Sequence, residues 1–97
     1  MCSFKQHCEE SIKLFGKPYE EVHSWLDEFA YTQDRGLRHR QLRHHQSGID
    51  ELASIMGDEI REPAKRHIIS DISQEGWKEG IHPFPKDQKH YVDMGLY

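Results

Sequence analysis

Two pairs of a histidine and an aspartate are the first candidates for chemistry in this chain. His23 and Asp27 are separated by four positions, and so are His67 and Asp71. On an α-helix, side chains four residues apart stand one turn apart on the same face. Each pair could therefore supply two ligands to one metal ion, or the aspartate could hold the ring of its histidine through a hydrogen bond.

The second candidate is the segment RGLRHRQLRHH, which contains four arginines, three histidines and no acidic residue. If this segment continues as one helix, an apolar stripe centred near Ile49 defines the inner face of that helix. His45 then lies about 40° from the centre of the stripe and faces the core, and Arg38 also lies on the apolar side. His39 falls at the border of the stripe, about 80° away, and His44 falls on the far face, about 140° away.

These orientations predict an interior site where three helices bring histidines and aspartates together. Zn²⁺, Fe²⁺, Ni²⁺ and Mn²⁺ all accept such nitrogen and carboxylate ligands. If the site is catalytic, we expect metal-assisted hydrolysis of a small anionic substrate, with an aspartate activating water and an arginine holding the anion. The predicted metal ligands are His23, His39, His44, His45 and His67, and the predicted catalytic residues are Asp27, Asp71 and Arg38.

The same residues admit other interpretations. The histidines and aspartates could form a buried hydrogen-bond network in a non-catalytic interaction module. Arg38, Arg40 and Arg43 could bind an anion, pair with the acidic second helix or contact nucleic acid. We expect no binding to generic duplex DNA, because the net charge is −4 and acidic flanks surround the basic segment. Three other histidines have no partner at a useful spacing: His7, His82 and His90.

Helical periodicity predicts the elements that position these residues. Apolar spacing and cap residues place four α-helices near residues 3–15, 19–31, 36–56 and 63–73. Glycines and prolines after position 73 predict an irregular tail over residues 74–97. The chain of 97 residues is therefore expected to form a single all-α domain, a small helical bundle with one modest core.

The sequence also predicts the cellular location of the protein. It has no positively charged start followed by an apolar run, and no stretch of 18 apolar residues, so we expect neither a secretory signal nor a membrane span. Cys2 and Cys8 would lie too far apart on a helix to form a disulfide. A reducing, cytoplasmic environment is expected, and a homo-oligomer is compatible with the sequence.

Three segments together carry a resemblance: VHSWLDEF, RHRQLRHHQSGI and AKRHIISD. They resemble a family of small, uncharacterised bacterial proteins known as a domain of unknown function. The resemblance covers about residues 19–72, and the tail departs from the ending of those relatives. It implies that the shared residues belong to one site. The matching residues are His23, Trp25, Asp27, Arg38, His39, Arg40, Arg43, His44, His45, Gly48, His67 and Asp71.

Overall fold

The computed structural model describes residues 4–27 and 43–96, and every regular element in these two ranges is helical. The helices enclose one apolar core, so the predicted small all-α bundle is confirmed. The α-helices are α1 (Phe4–Phe15), α2 (Glu20–Leu26), α3 (Gln46–Met56), α4 (Arg61–Ser73) and α5 (Gln88–Asp93), and a 3₁₀ turn (Asp58–Ile60) precedes α4.

The connection between α1 and α2 is short because glycine ends the first helix. Gly16 has a φ of +82°, and its N–H donates to the Ile12 carbonyl at 2.9 Å. Such a left-handed residue after a helix satisfies a carbonyl that the helix itself leaves without a partner. Glu20 and Glu21 lie in the first turn of α2, where carboxylates interact favourably with the helix dipole. The helix α1 therefore packs beside α2.

The chain bends immediately before α3, at His44 and His45. His45 is extended, with a φ of −157°, and its Nδ1 accepts a hydrogen bond from the Gly48 N–H at 3.1 Å. An extended residue whose side chain accepts from a helical N–H is a helix N-cap. The prediction of one continuous helix over residues 36–56 is therefore wrong at this bend, and residues 36–42 lie outside the described ranges.

The tail of the chain stabilises this helix start. The first N–H groups of an α-helix have no partner within the helix. Gln46 and Ser47 donate theirs to the carbonyls of Pro85 and Lys86, each at 2.9 Å. The sequence predicts an irregular tail, but part of it forms α5, which the apolar pattern did not indicate. The tail thus covers the amino-terminal end of α3.

The apolar core lies between α2, α3 and α4, and the tail closes one side of it. Trp77 packs into this core, and its indole N–H donates to the Pro83 carbonyl at 2.9 Å. The largest fully buried core side chains are Val22 and Leu26 from α2, Ile49 and Leu52 from α3, Ile68 and Ile72 from α4, and Tyr91 from α5.

The remaining helix limits stay close to the expected ones. The helices α1 and α4 differ from their predicted ranges by one or two residues. The α2 helix ends at Leu26, followed by a turn at Asp27, whereas the sequence predicts a helix to residue 31; residues 28–31 lie outside the described ranges. Within the described part of the chain, no helix is long and apolar enough to span a bilayer.

Gly48 permits the bend, which gives the first testable prediction. A methyl group at Gly48 would overlap the Arg43 carbonyl. Because backbone must move to relieve that overlap, Gly48→Ala should destabilise the protein by about 1–3 kcal/mol, measured by urea unfolding. Ser54→Ala, an exposed substitution on the same helix, is the control and should stay within about 0.5 kcal/mol of wild type. Equal stability of the two variants would contradict the close approach at Gly48.

Candidate metal centre

A cluster of buried polar side chains lies where α1, α2, α4 and the bend before α3 meet. Buried polar groups are costly to desolvate, so a concentration of them in so small a protein requires a reason. Asp27 lies at the edge of this cluster and is the only partly exposed member, with a side chain that is 23% accessible. The fully buried members are His7 and Ser11 from α1, His23 from α2, His44 from the bend, and His67 and Asp71 from α4.

Four donor atoms converge at one point of this cluster. The Nε2 of His44 lies 2.9 Å from Asp71 Oδ2 and 3.6 Å from Asp27 Oδ1. The Nε2 of His67 lies 3.3 Å from each of the same two oxygens. Ligands that hold a metal tetrahedrally at about 2.0–2.1 Å are ~3.3 Å apart, which is the edge of the tetrahedron. The four nitrogen–oxygen distances therefore lie close to the edge length of a tetrahedral metal site, and all four donor atoms lie within 4.8 Å of one another.

A chain of hydrogen bonds extends from the far side of the His67 ring. Its Nδ1 lies 2.7 Å from Nδ1 of His23, and Nε2 of His23 lies 2.8 Å from the Ser11 hydroxyl. All three side chains are buried. One of the two Nδ1 atoms must carry a hydrogen and the other a lone pair, because neutral imidazole has one donor and one acceptor. The tautomers of His67 and His23 are thus coupled.

His7 covers the cluster from α1. Its ring stacks on the ring of His67 with centroids 3.6 Å apart, and its Nε2 lies 3.2 Å from Asp71 Oδ1. Nδ1 of His7 is buried and has no hydrogen-bond partner among the described residues. The stack restricts the plane of the His67 ring, while His7 contacts the Asp71 oxygen that is not among the four converging donors.

Burial lowers the pKa of two histidines of the cluster. The pKa of His44 falls to about 4 because desolvation outweighs its hydrogen bond with the Asp71 carboxylate. The pKa of His23 also falls to about 4, because burial and the neighbouring rings of His67 and His7 all disfavour a second positive charge. His23 and His44 are therefore neutral at pH 7, which is the form in which imidazole binds metals.

The pKa values of His67 and Asp71 shift in the directions that favour their charged forms. Burial lowers the pKa of His67, but hydrogen bonds with Asp27 and Asp71 outweigh it and leave that pKa above its usual value. Burial raises the pKa of Asp71, yet hydrogen bonds from His44, His67 and His7 hold it well below its usual range. The centre thus keeps a buried carboxylate ionised and attracts positive charge to its middle.

The structure brings together four of the residues that the spacing singled out. Both aspartates and His67 lie among the four converging donors, and His23 lies directly behind His67. Since α2 and α4 are neighbours, the two histidine–aspartate pairs face each other as predicted from their helical spacing.

The helical wheel misplaces the two adjacent histidines. His44, expected on the far face, is completely buried and supplies one of the four donors. His45, expected in the site, instead caps α3 through its Nδ1 and lies outside both groups of potential ligands. Helical-wheel angles apply only to an unbroken helix, and the bend changes the directions of both side chains. His39 and Arg38 lie outside the described residues.

Sequence spacing does not identify two members of the cluster, His7 and Ser11. Both lie on α1 at a spacing of four, so they share one face, and that pair was the available signal. The signal was weak because neither residue has an acidic partner on its own helix; their partners belong to α2 and α4.

Arg43 lies beside the centre and contacts α2. Its guanidinium stacks on the Trp25 ring at 3.8 Å from the ring centroid and donates a hydrogen bond to the Trp25 carbonyl at 2.7 Å. Pairing with the acidic residues of the second helix is one of the interpretations open from the sequence, and Arg43 contacts this helix through an aromatic ring and a carbonyl. These contacts hold Arg43 in place, directly before His44 in the chain.

Together the fold and the cluster define a small helical protein with a buried histidine–aspartate centre. A family model described as Domain of unknown function (DUF6915) matches residues 2–95, and the chain belongs to this family. The match confirms the resemblance to an uncharacterised family. No curated protein and no solved structure matches the chain.

The two lowered histidine pKa values predict how stability depends on pH in metal-free protein. Histidine in the unfolded chain has a pKa near 6.5. As the pH falls from about 6.5 to 4, the unfolded chain therefore binds protons, whereas buried His23 and His44 in the folded protein do not. Stability should therefore decrease over this interval, by up to ~3 kcal/mol for each histidine. The raised pKa of His67 acts in the opposite direction and stabilises the fold at low pH, offsetting part of the loss.

The measurement is the free energy of unfolding in urea at several pH values in the presence of a chelator. His44→Asn should reduce the dependence on pH, whereas His82→Ala, which changes an exposed ring, should leave it as in wild type. A wild-type stability that stays constant between pH 7 and pH 4 would contradict the assignment of neutral, buried His23 and His44.

Proposed function

We propose that this protein binds one divalent transition-metal ion through Asp27, His44, His67 and Asp71. The single observation that carries the proposal is the spacing of the four donor atoms, with nitrogen–oxygen distances of 2.9, 3.3, 3.3 and 3.6 Å. These values bracket the ~3.3 Å edge of a tetrahedral site with bonds of 2.0–2.1 Å. An ion could therefore enter with only small side-chain movements.

Charge supports the same proposal. Two carboxylates converge on the centre, and Asp71 is buried with its pKa held low. A buried negative charge needs a compensating positive charge close to it. A protonated His67, which its two carboxylate neighbours favour, would supply this charge in metal-free protein, and a divalent cation bound between the carboxylates would replace it more completely. Metal binding would then release the proton from Nε2 of His67.

The donor set favours Zn²⁺, Fe²⁺, Ni²⁺ or Mn²⁺. Imidazole nitrogen suits borderline transition metals, and carboxylate oxygen suits these and harder ions. Cys8 is buried but is not part of either group of potential ligands. With no thiolate in the set, selectivity would come from geometry and from metal availability.

A second group of nitrogens, on His7, His23 and His67, fits a metal less well. The Nδ1 atoms of His23 and His67 are 2.7 Å apart, a hydrogen-bond distance that is well below the ~3.3 Å tetrahedral edge. The rings of His7 and His67 stack face to face at 3.6 Å, so one ion could not lie in the plane of both. This group therefore supports the metal ligands rather than forming a second site.

Metal-assisted hydrolysis of a small anionic substrate is the reaction we propose for this centre. Catalytic metal sites keep a position for water or substrate, whereas structural sites are closed by four protein ligands. The partial exposure of Asp27 supports a site that opens on one side, because the other three donors are buried. A metal held there would supply Lewis-acid activation of water, and Asp27, at the exposed edge, would be the carboxylate placed to accept a proton.

Metal content is the first test of the proposal. Protein purified without a histidine tag should bind one Zn²⁺ per chain, measured by elemental analysis and by titration calorimetry. Zn²⁺ at 100 times its Kd should stabilise the fold by ~2.7 kcal/mol, seen as an increase in Tm. His44→Ala and Asp71→Asn should abolish this increase, because each removes a donor atom.

His45→Asn is the matched control for His44→Ala. Asparagine is a good N-cap residue, so α3 should remain intact while the imidazole is lost. This variant should bind Zn²⁺ as wild type does. If wild-type protein contains no metal and melts identically with Zn²⁺ and with chelator, the cluster is instead the hydrogen-bond network of a non-catalytic module. Loss of binding in His45→Asn alone would contradict the choice of His44.

The open position gives a separate prediction. In Co²⁺-substituted protein, Asp27→Asn should change the visible absorption spectrum while the ion stays bound by the other three ligands. Zn²⁺- or Mn²⁺-loaded wild type should hydrolyse a phosphomonoester such as p-nitrophenyl phosphate, and Asp27→Asn should lower kcat by about 10²-fold or more. If the metal-loaded protein is inactive toward phosphate and carboxylate esters, the hydrolase proposal is wrong and only metal binding stands.

A further inference from the structure

We propose that His23 is a positioning residue for the metal ligand His67, and that Ser11 accepts the hydrogen that His23 then carries on Nε2. The inference rests on the proposed metal centre. It assigns to His23 a role different from the direct ligation that its spacing with Asp27 indicated.

The first step is the choice of the ligating atom on His67. Nε2 of His67 faces the two carboxylates, at 3.3 Å from Asp27 Oδ1 and 3.3 Å from Asp71 Oδ2. A metal held by these oxygens must therefore bind Nε2. A neutral imidazole that binds through Nε2 carries its only hydrogen on Nδ1. Nδ1 of His67 then becomes an obligatory hydrogen-bond donor.

The second step identifies the acceptor. Nδ1 of His67 lies 2.7 Å from Nδ1 of His23, so His23 must present a lone pair at that atom. The hydrogen of neutral His23 is consequently on Nε2, which lies 2.8 Å from the Ser11 oxygen and donates to it. Two arrangements of hydrogens satisfy His67, His23 and Ser11, because the hydroxyl of Ser11 can donate or accept, and metal at Nε2 of His67 selects this one.

The third step is that solvent cannot replace His23. The side chains of His67, His23 and Ser11 are all buried, so without His23 the Nδ1–H of His67 would have no partner. An unpaired buried donor costs free energy and leaves the ring free to rotate. Metal-ligating histidines commonly donate their second N–H to a carboxylate, a carbonyl or water, and loss of that acceptor typically weakens metal binding by about 10–100-fold.

A neutral imidazole as acceptor has a specific consequence for this centre. Asp27 and Asp71 already bring two negative charges close to one ion. A third carboxylate behind His67 would add another buried charge, which is costly to desolvate. His23 orients His67 without adding charge, so a divalent cation balances the two carboxylates.

The test compares three substitutions of His23 by titration with Zn²⁺. Asparagine can place an acceptor oxygen near the position of Nδ1, glutamine reaches the position of Nε2, and leucine offers no polar atom. His23→Asn should bind nearly as tightly as wild type, whereas His23→Gln and His23→Leu should raise the Kd by about 10–100-fold. All three should still bind one Zn²⁺ per chain, because none removes a ligand.

The spectroscopic signature of wild type does not depend on how the variants fold. In ¹⁵N-histidine-labelled, Zn²⁺-loaded protein, His67 should be metal-bound at Nε2 and protonated at Nδ1, and His23 should be protonated at Nε2. A metal-bound nitrogen on His23 would overturn the inference, as would equal affinities of His23→Asn and His23→Leu. Wild type that binds no Zn²⁺ would overturn the metal centre and this role together, whereas unchanged affinity in all three variants would overturn only the role of His23.

Discussion

The ionised carboxylate of Asp71, buried in the middle of a small protein, is the constraint on which the rest of this structure depends. A charge removed from water destabilises the fold unless hydrogen bonds and opposite charge surround it. Three imidazoles provide those contacts: His44 and His67 at one oxygen and His7 at the other. Each comes from a different part of the chain, so the carboxylate ties the bend, α4 and α1 together.

The bend before α3 follows from the same requirement. His44 reaches Asp71 because the helix begins only after His45, whose ring caps the new helix start. The close approach of the Arg43 carbonyl to Gly48 keeps the turn tight, and two carbonyls of the tail satisfy the next free N–H groups of the helix. Local capping and the tail thus allow an adjacent pair of histidines to serve different purposes, one in the centre and one at the helix end.

The same helices contribute side chains both to the apolar core and to the polar cluster. The helix α4 directs Ile68 and Ile72 into the apolar core, while His67 and Asp71 point into the polar cluster. The helix α2 divides in the same way between Leu26 and His23. Because core side chains are closely packed, they limit how far the helices can shift. Rigid helices of this kind are what a metal site needs in order to hold its ligands at fixed distances.

The sequence by itself determined most helix limits and one half of the centre. Apolar spacing, caps and glycine stops define α1 and α4 within two residues and the start of α2 within one, because these signals act within a single turn. The spacing of four places His67 and Asp71 on one face of α4 for the same reason, and their side chains do meet.

Only the tertiary structure decided which other side chains join them. His44 rather than His45 enters the centre because a break in a helix resets its phase, and periodicity cannot locate such a break when its stabilising partners lie about 40 residues away in the tail. His7 and Ser11 join because α1 packs against α2 and α4, and burial of a polar residue depends on the helix opposite it and not on its own neighbours in sequence.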